Sequence, residues 1–277
     1  MSARHVHAVM AAGLANPHLI ERWQQEPTLL REYGLSLTDI DLPALWKFAG
    51  LAVKVRHNGL RGDLPWTFRL LNVLGLEADI FASYGSFLAK TGTSLGNSSE
   101  ARAHDLCAFL EGWLDCENPG HCLLWDLIRH ELALMQLCNT STPDPSLQTL
   151  APLDEGSPCA ATIPRICGTV VLHAMRCDPR TVIAALRHVS PPLRTLPREP
   201  VHLCYWRQAS TSDIQILHVD ELGFYLLSCS DGSVSAADLS RRLVGGRRVA
   251  PNLLNGLAQL REAGILSFHN KAKKTAR

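Results

Sequence analysis

Apolar positions recur at helical spacing through the first half of the chain. The opening MSARHVHAVMAAGLANPH has one early Arg and a short apolar run interrupted by Gly13, Asn16 and Pro17. It reads as a first helix and not as a signal peptide, which places the protein in the cytoplasm. Leu19, Ile20, Trp23, Leu29, Leu30 and Tyr33 form the next stripe, broken at Pro27 and stopped at Gly34. Thr38 then stands where a cap is needed for a helix over 39–58 with Ile40, Leu42, Leu45, Trp46, Phe48, Ala49 and Ala52 on it. A glycine-rich loop at 57–65 leads to a helix carrying Phe68, Leu71, Leu74 and Leu76, and residues 77–90 predict another with Ile80, Phe81, Tyr84, Phe87 and Leu88. TGTSLGNSSE is a break. Helices over 99–115 and 121–138 follow, separated by the turn Glu117-Asn118-Pro119-Gly120. Glu131 is the odd residue among the leucines of the second. It is either a buried acid paired with Arg129 or His130, or a helix-edge carboxylate in water, the commoner case.

The period changes in the second half. Asn139 to Pro164 is rich in Thr, Ser, Pro and Gly and reads as a linker. Residues 169–176 predict a strand, and Asp178 caps a helix, PRTVIAALRHV. Pro191, Pro192, Pro197 and Pro200 then mark an extended connection. VHLCYWRQ and DIQILHVD, separated by polar residues, predict a hairpin. Asp220 is placed to cap a helix with Leu222, Tyr225, Leu226 and Cys229. Asp231-Gly232 ends it, and Ser233 or Ser235 caps the next, with Ala236, Leu239 and Leu243 on one stripe. Pro251 suits a first helical position. Leu253, Leu254, Leu257 and Leu260 line that helix, Gly264 closes it, and a last strand runs to Phe268.

The fold class is therefore α+β and mostly helical. An all-α domain spans 1–138, a linker 139–164, and a winged-helix-like domain with a small antiparallel sheet 165–277, with its core at 201–268 and a basic tail at 270–277. Such a unit has two common uses: its third helix enters DNA, or a strand edge beside that helix accepts an extended peptide. The third helix carries Asn252, Asn255 and Gln259 but one cation, Arg261, whereas a DNA reader needs cations for phosphate contacts. The apolar alternation of DIQILHVD puts Ile214 and Ile216 on one face and Leu217 and Val219 on the other. One face then lies on the core and the other is covered either by a partner or from within the domain.

Composition narrows the chemistry. The chain has 277 residues, 46% hydrophobic and 19% charged, with net charge +1. This is long enough for two cores and gives no field-driven case for nucleic acid or a membrane. No apolar run reaches the length of a bilayer span. The nine cysteines are odd in number and include no C-x-x-C pair, which argues against a disulfide framework and a zinc ribbon. His121-Cys122 near Cys116 and His130 is the nearest approach to a metal set, against the simpler reading of Cys107, Cys122 and Cys138 as small apolar residues on helix faces. No H-E-x-x-H, G-x-S-x-G, Walker or dinucleotide motif occurs. From Arg198 to Arg277 there are 11 Lys and Arg against 7 Asp and Glu. Arg241, Arg242, Arg247 and Arg248 flank Gly245-Gly246 and could contact an anionic partner, either nucleic acid or an acidic peptide, or form a solvated wing.

Strand pairs, three helices and the helix ending Ser230-Asp231-Gly232-Ser233-Val234 resemble the precursor-peptide recognition element of pathways that modify ribosomally made peptides. With the helical first half and the tract LCAFLEGWLD…CLLWDLIRHELALMQL, the whole chain resembles the partner proteins of multinuclear non-heme iron-dependent oxidative enzymes. The resemblance implies a non-catalytic partner subunit, with no cofactor of its own and the iron in a separate oxidative enzyme subunit. The partner binds a precursor or carrier peptide and presents its C-terminal cysteine for β-carbon excision, as in pathways of 3-thiaglutamate type. The peptide-binding residues it implies are Ile214, Ile216 and His218 on the strand and Leu253, Leu257 and Leu260 on the third helix. The alternative is a winged-helix DNA-binding regulator.

Overall fold

Residues 3–92, 96–140, 157–208, 213–245 and 250–270 are described by a computed structural model of the chain. The protein is mostly helical with a small antiparallel sheet. It divides into two units, Met1–Leu132 with Pro179–Leu196, and Ala133–Asp178 with Pro197–Arg277. The division falls after Leu132, six residues before the expected boundary at 138 and within the same helix, and the helix after Asp178 belongs to the first unit. The expected linker 139–164 ends in a strand; its stretch 141–156 lies outside the described residues, as does the basic tail from Lys271 on.

The first unit contains α1 (Ala3–Ala15), α2 (Pro17–Gln25), α3 (Leu42–Arg56), the short α4 (Leu60–Asp63), α5 (Pro65–Leu74), α6 (Glu77–Thr91), α7 (Ser99–Trp113), the greater part of α8 (Pro119–Asn139) and α9 (Pro179–Leu186). Pro27 opens a 3-10 turn that Gly34 ends in the left-handed region at φ 66°. Asp41, not Thr38, caps α3: its carboxylate accepts from the Ala44 N–H at 3.0 Å. The Ser36 N–H and hydroxyl both donate to Asp39, which closes a turn over 36–39 and moves the helix start past it. Helices α3 and α6 cross closely. A Cβ on Gly50 would lie 1.9 Å from the Ala78 carbonyl oxygen, so only glycine fits there.

Two buried polar groups hold special positions in this unit. Glu131 of α8 is 5% exposed. Its carboxylate accepts the Trp66 N–H at 2.9 Å and the Thr67 N–H at 2.7 Å. It thus supplies acceptors to the first turn of α5, where Pro65 sits without an N–H. Burial pushes its carboxyl above the usual range, and the bonds from Thr67 and Trp66 pull against that. Glu131 is thus the buried acid of the first sequence alternative, but its partners are backbone N–H groups of α5 and not Arg129 or His130. His57 is 1% exposed, with Nδ1 donating to the Val53 carbonyl at 2.9 Å and the ring against Phe81 and Tyr84. The Val53 bond fixes the neutral tautomer, and Nε2 has no hydrogen-bond partner. Burial holds the His57 pKa below its ordinary value, with Arg102 and Arg56 acting in the same direction.

The second unit is built on a three-stranded antiparallel sheet in the order β2 (Thr169–Met175), β3 (Val201–Arg207), β4 (Ile214–Val219). A separate antiparallel pair joins β1 (Thr162–Ile166) to β5 (Leu266–Asn270). Helices α10 (Glu221–Cys229), α11 (Ala236–Val244) and α12 (Pro251–Glu262) lie between β4 and β5 in sequence. Their boundaries follow local chemistry. Asp220 caps α10 through the Gly223 N–H, Ser235 caps α11 through the Asp238 N–H, and Pro251 opens α12. Gly232 and Gly264 take positive φ, 84° and 79°. Among the described residues no helix is long and apolar enough to cross a membrane.

The Gly50 geometry predicts that Gly50→Ala destabilises the first unit by about 3 kcal/mol, since the overpacked atom meets backbone. Gly59→Ala, with open space at its Cβ, is expected to stay within about 0.5 kcal/mol of the parent. Urea unfolding followed by circular dichroism measures both. For His57, the folded state binds a proton more weakly than the unfolded chain. Its stabilising contribution is full above the ordinary pKa of 6.5 and is lost as pH falls through the lower folded value. The urea midpoint of the first unit should decline as pH falls from 6.5 toward that lower value, and His57→Leu should flatten this limb.

Candidate functional site

The three-stranded sheet has two differently covered faces. Cys204 and Trp206 of β3, with Val170 and Leu172 of β2 and Leu217 and Val219 of β4, join a core with α10, α11 and α12. On the opposite face, Leu203 and Tyr205 pack with Met175, Val171, Ile214 and Ile216 against Ala133, Leu134 and Leu137, the last turns of α8. Arg207 secures that contact. Its Nη1 donates to the carbonyls of Leu137 at 2.6 Å and Thr140 at 2.7 Å, with Cys138 at 3.3 Å. Both faces of β4 are thus covered from within the chain, so Ile214 and Ile216 do not form an open guest surface. His218 is exposed, and its Nε2 lies 3.2 Å from the Asp178 carboxylate.

The helix residues expected to line a peptide groove are core residues. Leu253 and Leu257 are 0% exposed and Leu260 9%, within the cluster that includes Leu226, Leu239 and Phe268. Gly256 brings α12 close to α10: a Cβ there would stand 2.9 Å from Leu226. The outward side of α12 carries Asn252, Asn255, Gln259 and Glu262. Arg261 lies over the Phe268 ring at 5.3 Å. Arg241 is exposed and pairs with Asp238 at 2.8 Å on the same helix, and Arg242 is exposed beside it. Arg247 and Arg248 lie outside the described residues. Helix α11 packs on β1 and α12, whereas β4 is flanked by β3 and α10. The structure therefore does not gather the predicted strand, helix and arginine residues into one surface.

What remains available on β4 is its edge. The register pairs His202 with Val219 through to Arg207 with Ile214 along one side. Among the described residues β4 pairs with β3 alone, so the other side offers backbone N–H and C=O groups to no strand. The opposite margin of the sheet is β2, which pairs with β3. Gln215 and His218 of β4 are exposed, and the remaining residues of the strand half-buried.

The residues considered for metal are placed otherwise. The Cys122 Sγ donates to the Cys116 carbonyl at 3.0 Å, and His121 accepts the Asp115 N–H while its ring packs on Trp113. Among the described residues no group of three or more His, Cys, Asp or Glu side chains is arranged to hold an ion. No disulfide joins any of the nine cysteines. Burial pushes the Cys204 thiol up to about 12 and Cys107 up to about 11, which suits side chains that pack and do not react.

The sequence reading missed β1. Its Ile166 N–H donates to the Ser230 carbonyl, the Gly232 N–H donates to the Pro164 carbonyl, and the Trp206 indole N–H donates to Cys167 at 2.7 Å. Ser230-Asp231-Gly232 is thus a pairing segment for β1 as well as a helix ending. No protein-family model matches the chain, and no curated protein sequence matches it.

Leu257→Asp is expected to unfold the second unit, because it places a carboxylate where no atom meets water. The measurement is thermal unfolding with near-ultraviolet dichroism. A variant that keeps its tertiary signal would contradict the core assignment of α12.

Proposed function

We propose that the chain is a non-catalytic partner subunit that binds a ribosomally made precursor peptide and presents its C-terminal cysteine to a multinuclear non-heme iron oxidative enzyme in the cytoplasm. The pathway is of the 3-thiaglutamate type, with β-carbon excision performed by the iron subunit. In this reading the sheet with α10, α11 and α12 is a winged-helix-like recognition domain, and β1 with β5 forms its wing.

The observation that carries the peptide-binding part is the outer side of β4, which has no strand partner among the described residues. An extended peptide laid there gains main-chain hydrogen bonds along six residues, and its alternate side chains reach the rims of the two sheet faces. Ile214, Ile216 and the α12 leucines act by holding the strand in place, and the guest meets backbone, Gln215 and His218. Holding the peptide by one segment raises the effective concentration of its reactive end near a separate active site. The iron partner and the pathway rest on the resemblance of the paired helices and the Ser230–Val234 turn. The polar outward side of α12, with Arg261 engaged by Phe268, lends no support to the DNA-reading alternative.

The test combines the chain, a candidate iron enzyme and its precursor peptide, and follows peptide mass. Conversion is expected only when all three are present. Equal conversion without this chain, or conversion by the metal-reconstituted chain alone, overturns the partner reading. Calorimetric titration of the precursor into the chain tests binding apart from turnover.

A further inference from the structure

We infer that the peptide accepted along β4 is cationic, with a Lys or Arg near each end of the segment that pairs. This rests on the reading of β4 as a docking edge and adds the chemistry of its occupant. Between Arg207 and Arg241 the sequence contains no Lys or Arg, yet it contains Asp213, Asp220, Glu221, Asp231 and Asp238. The structure places three of these carboxylates at the two ends of β4. Asp213 immediately precedes the strand and is exposed, and Asp220 and Glu221 follow it, both exposed. Asp220 also caps α10 and Glu221 stands in its first turn, where a carboxylate suits the helix dipole, whereas Asp213 lies outside any helix. Asp178, within 3.2 Å of His218, adds a carboxylate beside the C-terminal half of the strand. The cation nearest in sequence, Arg207, has its guanidinium on the last carbonyls of α8.

Strand addition by itself is nearly blind to side chains, because the bonds it makes are main chain to main chain. Carboxylates at both ends of the rail convert it into a selector. A guest with cations at matching ends gains two attractive contacts, and one with acids meets repulsion at both. At about 3.3 Å per residue, β4 with Asp213 before it and the extended Asp220 after it spans about 26 Å, the length of an eight-residue extended segment, and Glu221 follows at its end. This reverses the choice of an acidic peptide that Arg241 and Arg242 alone would suggest, since those residues lie on α11, which packs on β1 and α12.

The experiment uses the full chain and two fluorescein-labelled octapeptides with the same Val-Thr alternation, one with Lys at both ends and one with Glu. Fluorescence anisotropy should give about five- to tenfold tighter binding of the Lys-ended peptide, as expected for two partly screened surface pairs. The ratio should shrink at high salt. The double variant Asp213→Lys with Glu221→Lys should reverse the preference, with circular dichroism confirming that it is folded. Equal affinities for the two peptides, or a preference that the double variant leaves intact, overturn the charge inference and leave the docking edge standing. No binding of either peptide, or undiminished binding of a backbone N-methylated Lys-ended peptide, overturns both.

Discussion

A guanidinium set against the end of a helix decides what this protein can offer to a partner. The last carbonyls of any helix lack intrahelical donors and carry the negative end of its dipole. At the end of α8 the carbonyls of Leu137 and Cys138, with that of Thr140 just beyond the helix, are met by Arg207 at the end of the central strand. The contact holds the helix end over Tyr205 and Leu203 and over the inward side of Ile214 and Ile216. A sheet that would otherwise expose an apolar face is thereby covered on both sides. Among the described residues the outer strand keeps a row of backbone groups that no strand pairs, with Gln215 and His218 exposed beside it. Recognition at this place is then a matter of strand pairing and of what stands at the strand's ends.

A second set of contacts ties the helices to the sheet through a segment that reads as linker. TIPRI has a proline at its centre, a residue that sequence logic assigns to connections. Pro164 is tolerated because its carbonyl is the group in use, accepting from Gly232. Cys167 completes the join, donating to the Ile265 carbonyl and accepting from the Trp206 indole. The Asp-Gly ending of α10 therefore does two things at once. It turns the chain at φ 84° and presents the Gly232 N–H to β1. Asp231 in turn accepts from the Ser233 N–H and hydroxyl, which holds the turn.

These cases show which features local chemistry announces. Asp220, Pro251, Gly232 and Gly264 could be placed from sequence, and Ser235 as one of two candidate serines, because each acts on its own backbone or on residues within one turn. Thr38 was misplaced by three residues for an equally local reason, the competing Ser36–Asp39 turn. Glu131 and Gly50 could not be placed, because their partners are the Trp66 and Thr67 amides and the Ala78 carbonyl, on other helices. The leucines of α12 illustrate a different limit. Periodicity identified the stripe correctly but carries no information on whether its cover is the protein's own core or a guest. Leu253 and Leu257 turn out to be wholly enclosed. For β4 the alternation of apolar residues left the same two possibilities, and α8, distant in sequence, resolves them in favour of internal cover.

Charge needs the same separation of local from global. The C-terminal region is cationic by count, and that count points to an acidic partner. Yet its Lys and Arg residues fall almost entirely outside the stretch that carries β4 and α10. Electrostatic interactions between exposed groups fade beyond about 8 Å at physiological ionic strength. A guest strand hydrogen-bonded to β4 lies about 4.8 Å from it, within reach of Asp213 and Glu221. For a backbone-mediated contact, the nearby end charges are what distinguish one extended peptide from another, and the sum over the domain has little bearing on the choice.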